Sequence, residues 1–110
     1  MGRKAVAVRA DVSDADAVEA AVAAATEALG TITAVANVAG GSGPGFGLGP
    51  LLTVPDAEFR RVLDVNLVGS WLVSKATATR MIGAGATFSA RPARCDSSFD
   101  ATSSKSLRLS

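Results

Sequence analysis

Three groups of residues in this 110-residue chain have the types and spacing to do chemistry: Asp11 with Val12, then Asn37, Val38, Ala39 and Gly40, then Asn66. A carboxylate at position 11 can accept a hydrogen bond from a ligand amine. An amide at 37 followed by small residues leaves room for a flat ligand, because a side chain larger than Ala at 39 or 40 would fill it. A second amide at 66 can hold a polar atom in place. These are groups that bind and orient. The chain has no His and no Tyr, so it supplies neither imidazole nor phenol as a general acid or base. Its single Cys95 cannot form an internal disulfide and gives no cysteine cluster for a metal, and no metal site is expected.

Each candidate has a plainer reading beside the chemical one. Asp11 can simply follow a strand and help to start a helix. Asn37 and the glycines can be an ordinary turn, since Asn and Gly are the commonest turn formers. Asn66, between Val65 and Leu67, can be a side chain satisfied by a neighbouring backbone.

The elements that must position these residues follow from the hydrophobic pattern. Ala5 to Ala10 is a short, nearly continuous apolar run and predicts a buried strand. Ser13 is the expected N-cap of the next helix, with Asp16 three residues on approximating a capping box. Val18, Ala21, Val22, Ala25 and Leu29 share one face of that helix, and Gly30 is placed to end it. Ile32 to Val38 predicts a second strand, which opens into the glycines. Strand, helix and strand with short joints make a βαβ unit with a right-handed crossover. In open α/β sheets ligands bind beyond the carboxyl ends of the strands, where Asp11 and Asn37 to Gly40 fall. The loop Gly41 to Pro50 lacks the strand-to-helix setting of a dinucleotide fingerprint. Thr53 is the next expected N-cap. A long helical pattern runs from there to Met81, as two helices or one bent helix, with a close neighbour able to pack at Gly69 and Ser70. Ala86 to Ala90 can begin a third strand, and from Arg91 on no periodicity persists.

Composition narrows the function classes. Hydrophobic residues make up 48% of the chain, enough for one core. The net charge is +1 with 19% charged residues, which points to neither nucleic acid nor an anionic membrane as partner. No apolar run is long enough to span a bilayer and no signal-peptide pattern is present, so a cytoplasmic location is the default.

With Asp11-Val12, Asn37-Val38-Ala39-Gly40 and Asp64-Val65-Asn66 in this order, the chain resembles the middle of a short-chain dehydrogenase/reductase over about Arg3 to Ala86. The resemblance implies an α/β fold, an incomplete Rossmann-like doubly wound parallel sheet with a β-α-β-α core and a disordered C-terminal tail. Residues 1–86 would be a partial NAD(P)-binding domain and 87–110 an irregular or out-of-frame tail. The activity implied is hydride transfer between a nicotinamide and a small alcohol or carbonyl substrate. Asp11 would bond the adenine amino group of NAD or NADP, with Val12 packed beside it. Asn37, Ala39 and Gly40 would line the adenosine side of the crevice. Asn66 would be the catalytic Asn of the family's Asn-Ser-Tyr-Lys group, holding a water in the proton relay. The helix at 53–81 would join a homo-oligomer. Val38 replaces the second Asn of the commonest family motif, and Thr33 stands where the family often has Asp.

The departures matter as much. The family opens with a strand and a Gly-x-x-x-Gly-x-Gly turn for the pyrophosphate, which is not found here. Its acid/base is a Tyr whose pKa is lowered by a Lys four residues later. Here Lys105 is preceded at that distance by Ala101, and the neighbours of Ser89 do not match. The expectation is therefore a fragment, inactive as this chain, with Met1 an internal start and the sequence after about Phe88 read out of frame. In the order 3-2-1-4-5-6 the two strands at Ala5 and Ile32 are numbers 3 and 4, roughly 14 Å apart at about 4.8 Å per strand step. Either they pair directly or the sheet does not form, with low stability, aggregation or dependence on a partner chain as the consequence. The alternatives are a non-catalytic module that interacts through the long helix, and an unrelated small α/β domain.

Overall fold

The computed structural model describes residues 2–42, 45 and 49–87, with the backbone of a further strand at 106–108. Helix α1 spans Ala15–Leu29, strand β1 Ala34–Ala36 and helix α2 Asp56–Leu63. A π-helical turn, Asp64–Val68, then runs without a break into α3, Gly69–Gly83, and strand β2 covers Ser106–Arg108. Among the described residues no helix is long and apolar enough to cross a membrane, and no three His, Cys, Asp or Glu come together as a metal site.

α1 forms where its apolar steps predict it, but its cap moves by one residue. Asp14, not Ser13, is the N-cap, and its Oδ1 accepts from the amides of Asp16 (2.9 Å) and Ala17 (3.1 Å). Ser13 is engaged elsewhere, donating its amide (2.9 Å) and hydroxyl (2.6 Å) to Asp11 Oδ1. Gly30 ends the helix at φ 87°, a left-handed conformation that costs glycine little.

The second helical stretch begins later than the capping pattern predicts. Pro55 is the N-cap of α2 and makes no side-chain cap, while Thr53 Oγ1 donates to the Pro50 carbonyl (3.1 Å). The long pattern is one continuous helix with a wide turn inside it, marked by the Gly69 amide reaching back to the Asp64 carbonyl. Ala84 closes α3 and Gly85 follows at φ 84°, as the glycines there predict.

The core lies between α1 and α3. Val18, Val22 and Ala76 are buried, with Val12, Ile32, Leu72 and Val73 packed against them. Met81 is fully buried, and so is Thr77, whose hydroxyl donates to the Val73 carbonyl (2.7 Å). Arg80 ties the same two helices together at the surface, Nη2 to Glu19 Oε1, 2.6 Å. The sequence pattern puts Phe59, Leu63, Leu67 and Trp71 on the inner face of the long helix. They are exposed instead, because the wide turn and α3 present Leu72, Val73, Ala76 and Met81 to α1.

The strands depart furthest from the pattern. Ala5 to Ala10 is not a strand, since no ladder forms along it. β1 is shorter than Ile32–Val38 and does not pair in parallel with the first apolar run. Its partner is β2, antiparallel, with Val35 opposite Leu107. A strand exists only where another supplies its hydrogen bonds. One short part of the expected irregular tail thus forms a strand. The expected third strand is irregular at 86–87 and otherwise lies outside the described residues, as do Ser89, Cys95 and Lys105.

Candidate functional site

A cleft of about 710 Å³ opens past the carboxyl end of β1. Asn37, Val38, Ala39, Gly40, Gly41 and Ser42 form one wall, and Asn66 and Ser70 from the long helix form the other. Three of the sequence candidates, Asn37, Ala39 and Gly40, therefore share a wall, and Asn66 faces them.

Asn66 is not buried in an apolar helix, as its neighbours suggest. It is exposed at the cleft mouth and holds the opposite wall by both ends of its amide. Oδ1 accepts from the Gly41 N–H (2.8 Å) and Nδ2 donates to the Gly41 carbonyl (2.8 Å). One side chain thereby satisfies the two backbone groups of a residue that lies past the end of the strand. Its own carbonyl accepts from the Ser70 hydroxyl (2.8 Å) and keeps a second lone pair. Both open readings of Asn66 are thus realised together: it is satisfied by backbone, and it lines a cleft. It sits within the π-helical turn, a feature frequently found at functional sites. The clasp restricts position 40 to glycine, since a Cβ there would stand 2.6 Å from Asn66 Oδ1.

Asp11 and Val12 do not line the cleft, but they are fixed to its helix wall. A Cβ on Gly69 would meet Val12 Cγ2 at 2.8 Å and the Val12 carbonyl at 3.2 Å, so only glycine lets the two backbones come this close. Gly69 follows the wide turn and precedes Ser70, so the contact couples the Asp11 loop to the cleft. Hydrogen bonds from the Ser13 hydroxyl and amide hold the Asp11 carboxyl below its ordinary range; partial burial works against them, and the Arg61 guanidinium adds to the lowering. Asp11 is therefore an ionised acceptor at neutral pH. Both Ser13 bonds end on Oδ1, and a carboxylate offers about four acceptor positions, so capacity remains.

The sequence reading missed Gly41, Ser42 and Ser70 as cleft residues. Gly41 had a signal, as the second of two glycines after the strand. Ser70 lies four residues after Asn66, which is the reach of a side-chain bond along one helix face.

A glycine-floored cleft with amide and hydroxyl groups on its walls suits the ribose and base of a nucleotide. None of the described residues supplies a glycine turn opening a helix, so a pyrophosphate has no cradle among them.

The family model described as enoyl-(acyl carrier protein) reductase matches residues 1–91. The chain is 38% identical over 82 residues to the inactive 2-(S)-hydroxypropyl-CoM dehydrogenase 2 of Xanthobacter autotrophicus, covering 74% of this chain and 34% of that protein. It is 40% identical over 83 residues to the 2-(R)-hydroxypropyl-CoM dehydrogenase of the same organism, covering 76% and 33%. Among solved structures, a short-chain type dehydrogenase/reductase from Mycobacterium ulcerans superposes with a TM-score of 0.62 at 32% identity, over 70% of this chain and 27% of that one. The chain thus spans about a third of the length of the curated relatives it matches.

Proposed function

The chain belongs to the short-chain dehydrogenase/reductase family, and from that premise we propose that its cleft is the adenosine side of an NAD(P) site in an oxidoreductase acting on a small alcohol or carbonyl. The observation that carries the reading is the Asn66 clasp on Gly41 across a wall made of Asn37, Ala39 and Gly40. When bound, NAD(P) supplies the hydride acceptor or donor. The chain's own residues bind and orient. The ionised Asp11 accepts from the adenine amino group, and Val12 transmits its position to the helix through Gly69. Gly40 leaves the floor open, and the free lone pair on the Asn66 carbonyl holds a water for proton transfer. With no Tyr and no His in the chain, proton transfer to the substrate has no terminal acid here, and the 110-residue chain alone does not turn over. Residues 1–86 act as a partial cofactor-binding domain, and cytoplasmic location stays part of the reading.

The test replaces the matched stretch of the Mycobacterium ulcerans relative with residues 1–87 of this chain. Asp11→Ala is expected to raise the cofactor KM about tenfold, the loss of one or two hydrogen bonds. Asn66→Ala is expected to lower kcat with little change in cofactor KM. A chimera that turns over and is indifferent to both substitutions would refute the assignment.

A second reading has its own observation. Phe59, Leu63, Leu67 and Trp71 form an exposed row along the long helix, with Trp71 63% accessible. Such a row suits a homo-oligomer or a non-catalytic interaction module. A monomer at millimolar concentration would remove it.

A further inference from the structure

The stretch Ala5 to Ala10 is extended yet unpaired, and its exposure is unusual for its composition. Val6 and Val8, on one face of the pleat, are 43% and 45% accessible, and Ala5 and Ala7, on the other, are exposed too. A strand apolar on both faces is the kind covered on both sides in a parallel sheet. Here it has neither a covering layer nor a ladder: β1 pairs only with β2, although α1 links it to this stretch with joints short enough for a βαβ pair. Both ends of the connection are anchored, since Val12 and Ile32 pack against the α1–α3 core. The arrangement therefore keeps a place for strands that the described residues do not supply. In a doubly wound sheet ordered 3-2-1-4 that place is two strands wide. The superposition on the solved relative agrees, because 70% of this chain fits while 73% of the relative is left uncovered.

We propose that the edge of Ala5 to Ala10 is a docking site for a β-α-β unit from the amino-terminal half of a short-chain dehydrogenase, which inserts its parallel strands between this stretch and β1. Such a unit brings the ladder for Val6 to Val8, and its helices cover the pleat faces. Its glycine-rich turn would arrive beside the cleft at Asn37 to Gly41 and provide the phosphate cradle lacking among the described residues. The docking stands on exposure and the missing ladder. Only the nucleotide arm of the test rests on the function proposed above.

The experiment co-expresses the 110-residue chain, tagged, with the first β-α-β unit of the Mycobacterium ulcerans relative. A one-to-one complex is expected on size exclusion with light scattering. In it the amides of Val6 to Val8 should exchange at least about tenfold more slowly than in the chain alone, as for a strand entering a ladder. The double substitution Val6→Asp with Val8→Asp, outside the helical core, should abolish the complex and leave helix content unchanged. Trp71→Ser, on the exposed helix row, should leave it intact. A version with the unit joined ahead of Met1 through a Gly/Ser linker removes weak affinity as an explanation, and unprotected amides at 6–8 in that protein would overturn the docking. A complex that forms only through Trp71 would overturn it as well. NAD is then titrated into the complex. Docking without NAD binding refutes the nucleotide reading and leaves the interface standing.

Discussion

Replacing Asn66 by Ala removes two hydrogen bonds, Gly41 N–H to Oδ1 and Nδ2 to the Gly41 carbonyl, both 2.8 Å. Each is partly solvated, so each is worth about 1 kcal/mol, and the pair about 2. Ala regains about 0.6 kcal/mol of helix propensity over Asn. The net loss of about 1.4 kcal/mol falls on the cleft wall and not on the core, because Asn66 touches none of the buried cluster. That figure corresponds to about a tenfold change in an equilibrium constant. The readout is hydrogen exchange at the Gly41 amide, whose recorded acceptor is this side chain. It should exchange about tenfold faster in Asn66→Ala. The Gly30 amide, bonded to the Thr26 carbonyl at 2.8 Å, should not change and serves as the internal reference. Asn66→Asp is a sharper probe, since it keeps an acceptor for the Gly41 N–H but sets oxygen against the Gly41 carbonyl. Gly41 exchange unchanged in Asn66→Ala, with helix content intact, would refute the idea that this amide holds the wall.

Gly69→Ala should gain about 1 kcal/mol of helix propensity and lose roughly 1–3 to the contact with Val12, giving no gain or a net loss. Urea unfolding tests this, with Val12→Ala as the background that relieves the clash; a gain of the full 1 kcal/mol would show that Val12 moves freely. Met81→Ala, at the fully buried position, should cost about 2–5 kcal/mol and melt the helical signal in circular dichroism. The Glu19 carboxyl sits below its ordinary 4.5, chiefly through the hydrogen bond from Arg80, with burial opposing and the Arg80 charge assisting. A lowered folded pKa means the stabilisation is present above 4.5 and is lost as pH falls through the lowered value. An NMR titration should place Glu19 below 4.5 and Arg80→Gln should return it upward; a native midpoint at or above 4.5 would contradict the pairing.

Much of this architecture is legible in residue order. Val18, Val22 and Leu29 at helical spacing, closed by Gly30, mark α1, and the apolar steps after Asp56 mark the long helix. Asp11, Asn37 and Asn66 stand out as polar groups next to apolar runs, and three of the cleft residues follow from the glycine-rich end of the second run. What the sequence hides is relational. Ser13 and Asp14 are both good caps, and the choice turned on Asp11 claiming Ser13. Ala5 to Ala10 has strand composition, but a ladder needs a partner that composition does not reveal. The inner face of the helix was misjudged because period counting assumes a uniform turn, and Asp64–Val68 is wider. The bond from Asn66 to Gly41, 25 residues away, leaves no trace in local spacing.

The wide turn at Asp64–Val68 also determines how this segment can change by descent. An α-helix advances roughly 100° per residue. Deleting one codon within the turn would close it to ordinary helix and swing everything after it by that angle. Gly69 would leave Val12, Ser70 would leave the cleft, and Met81 would leave the core together. Point substitutions within the turn can accumulate one at a time without such a swing. The inherited quantity there is the number of residues between Leu63 and Gly69, more than their identity, and in related genes insertions and deletions should be purged from that interval before side chains are.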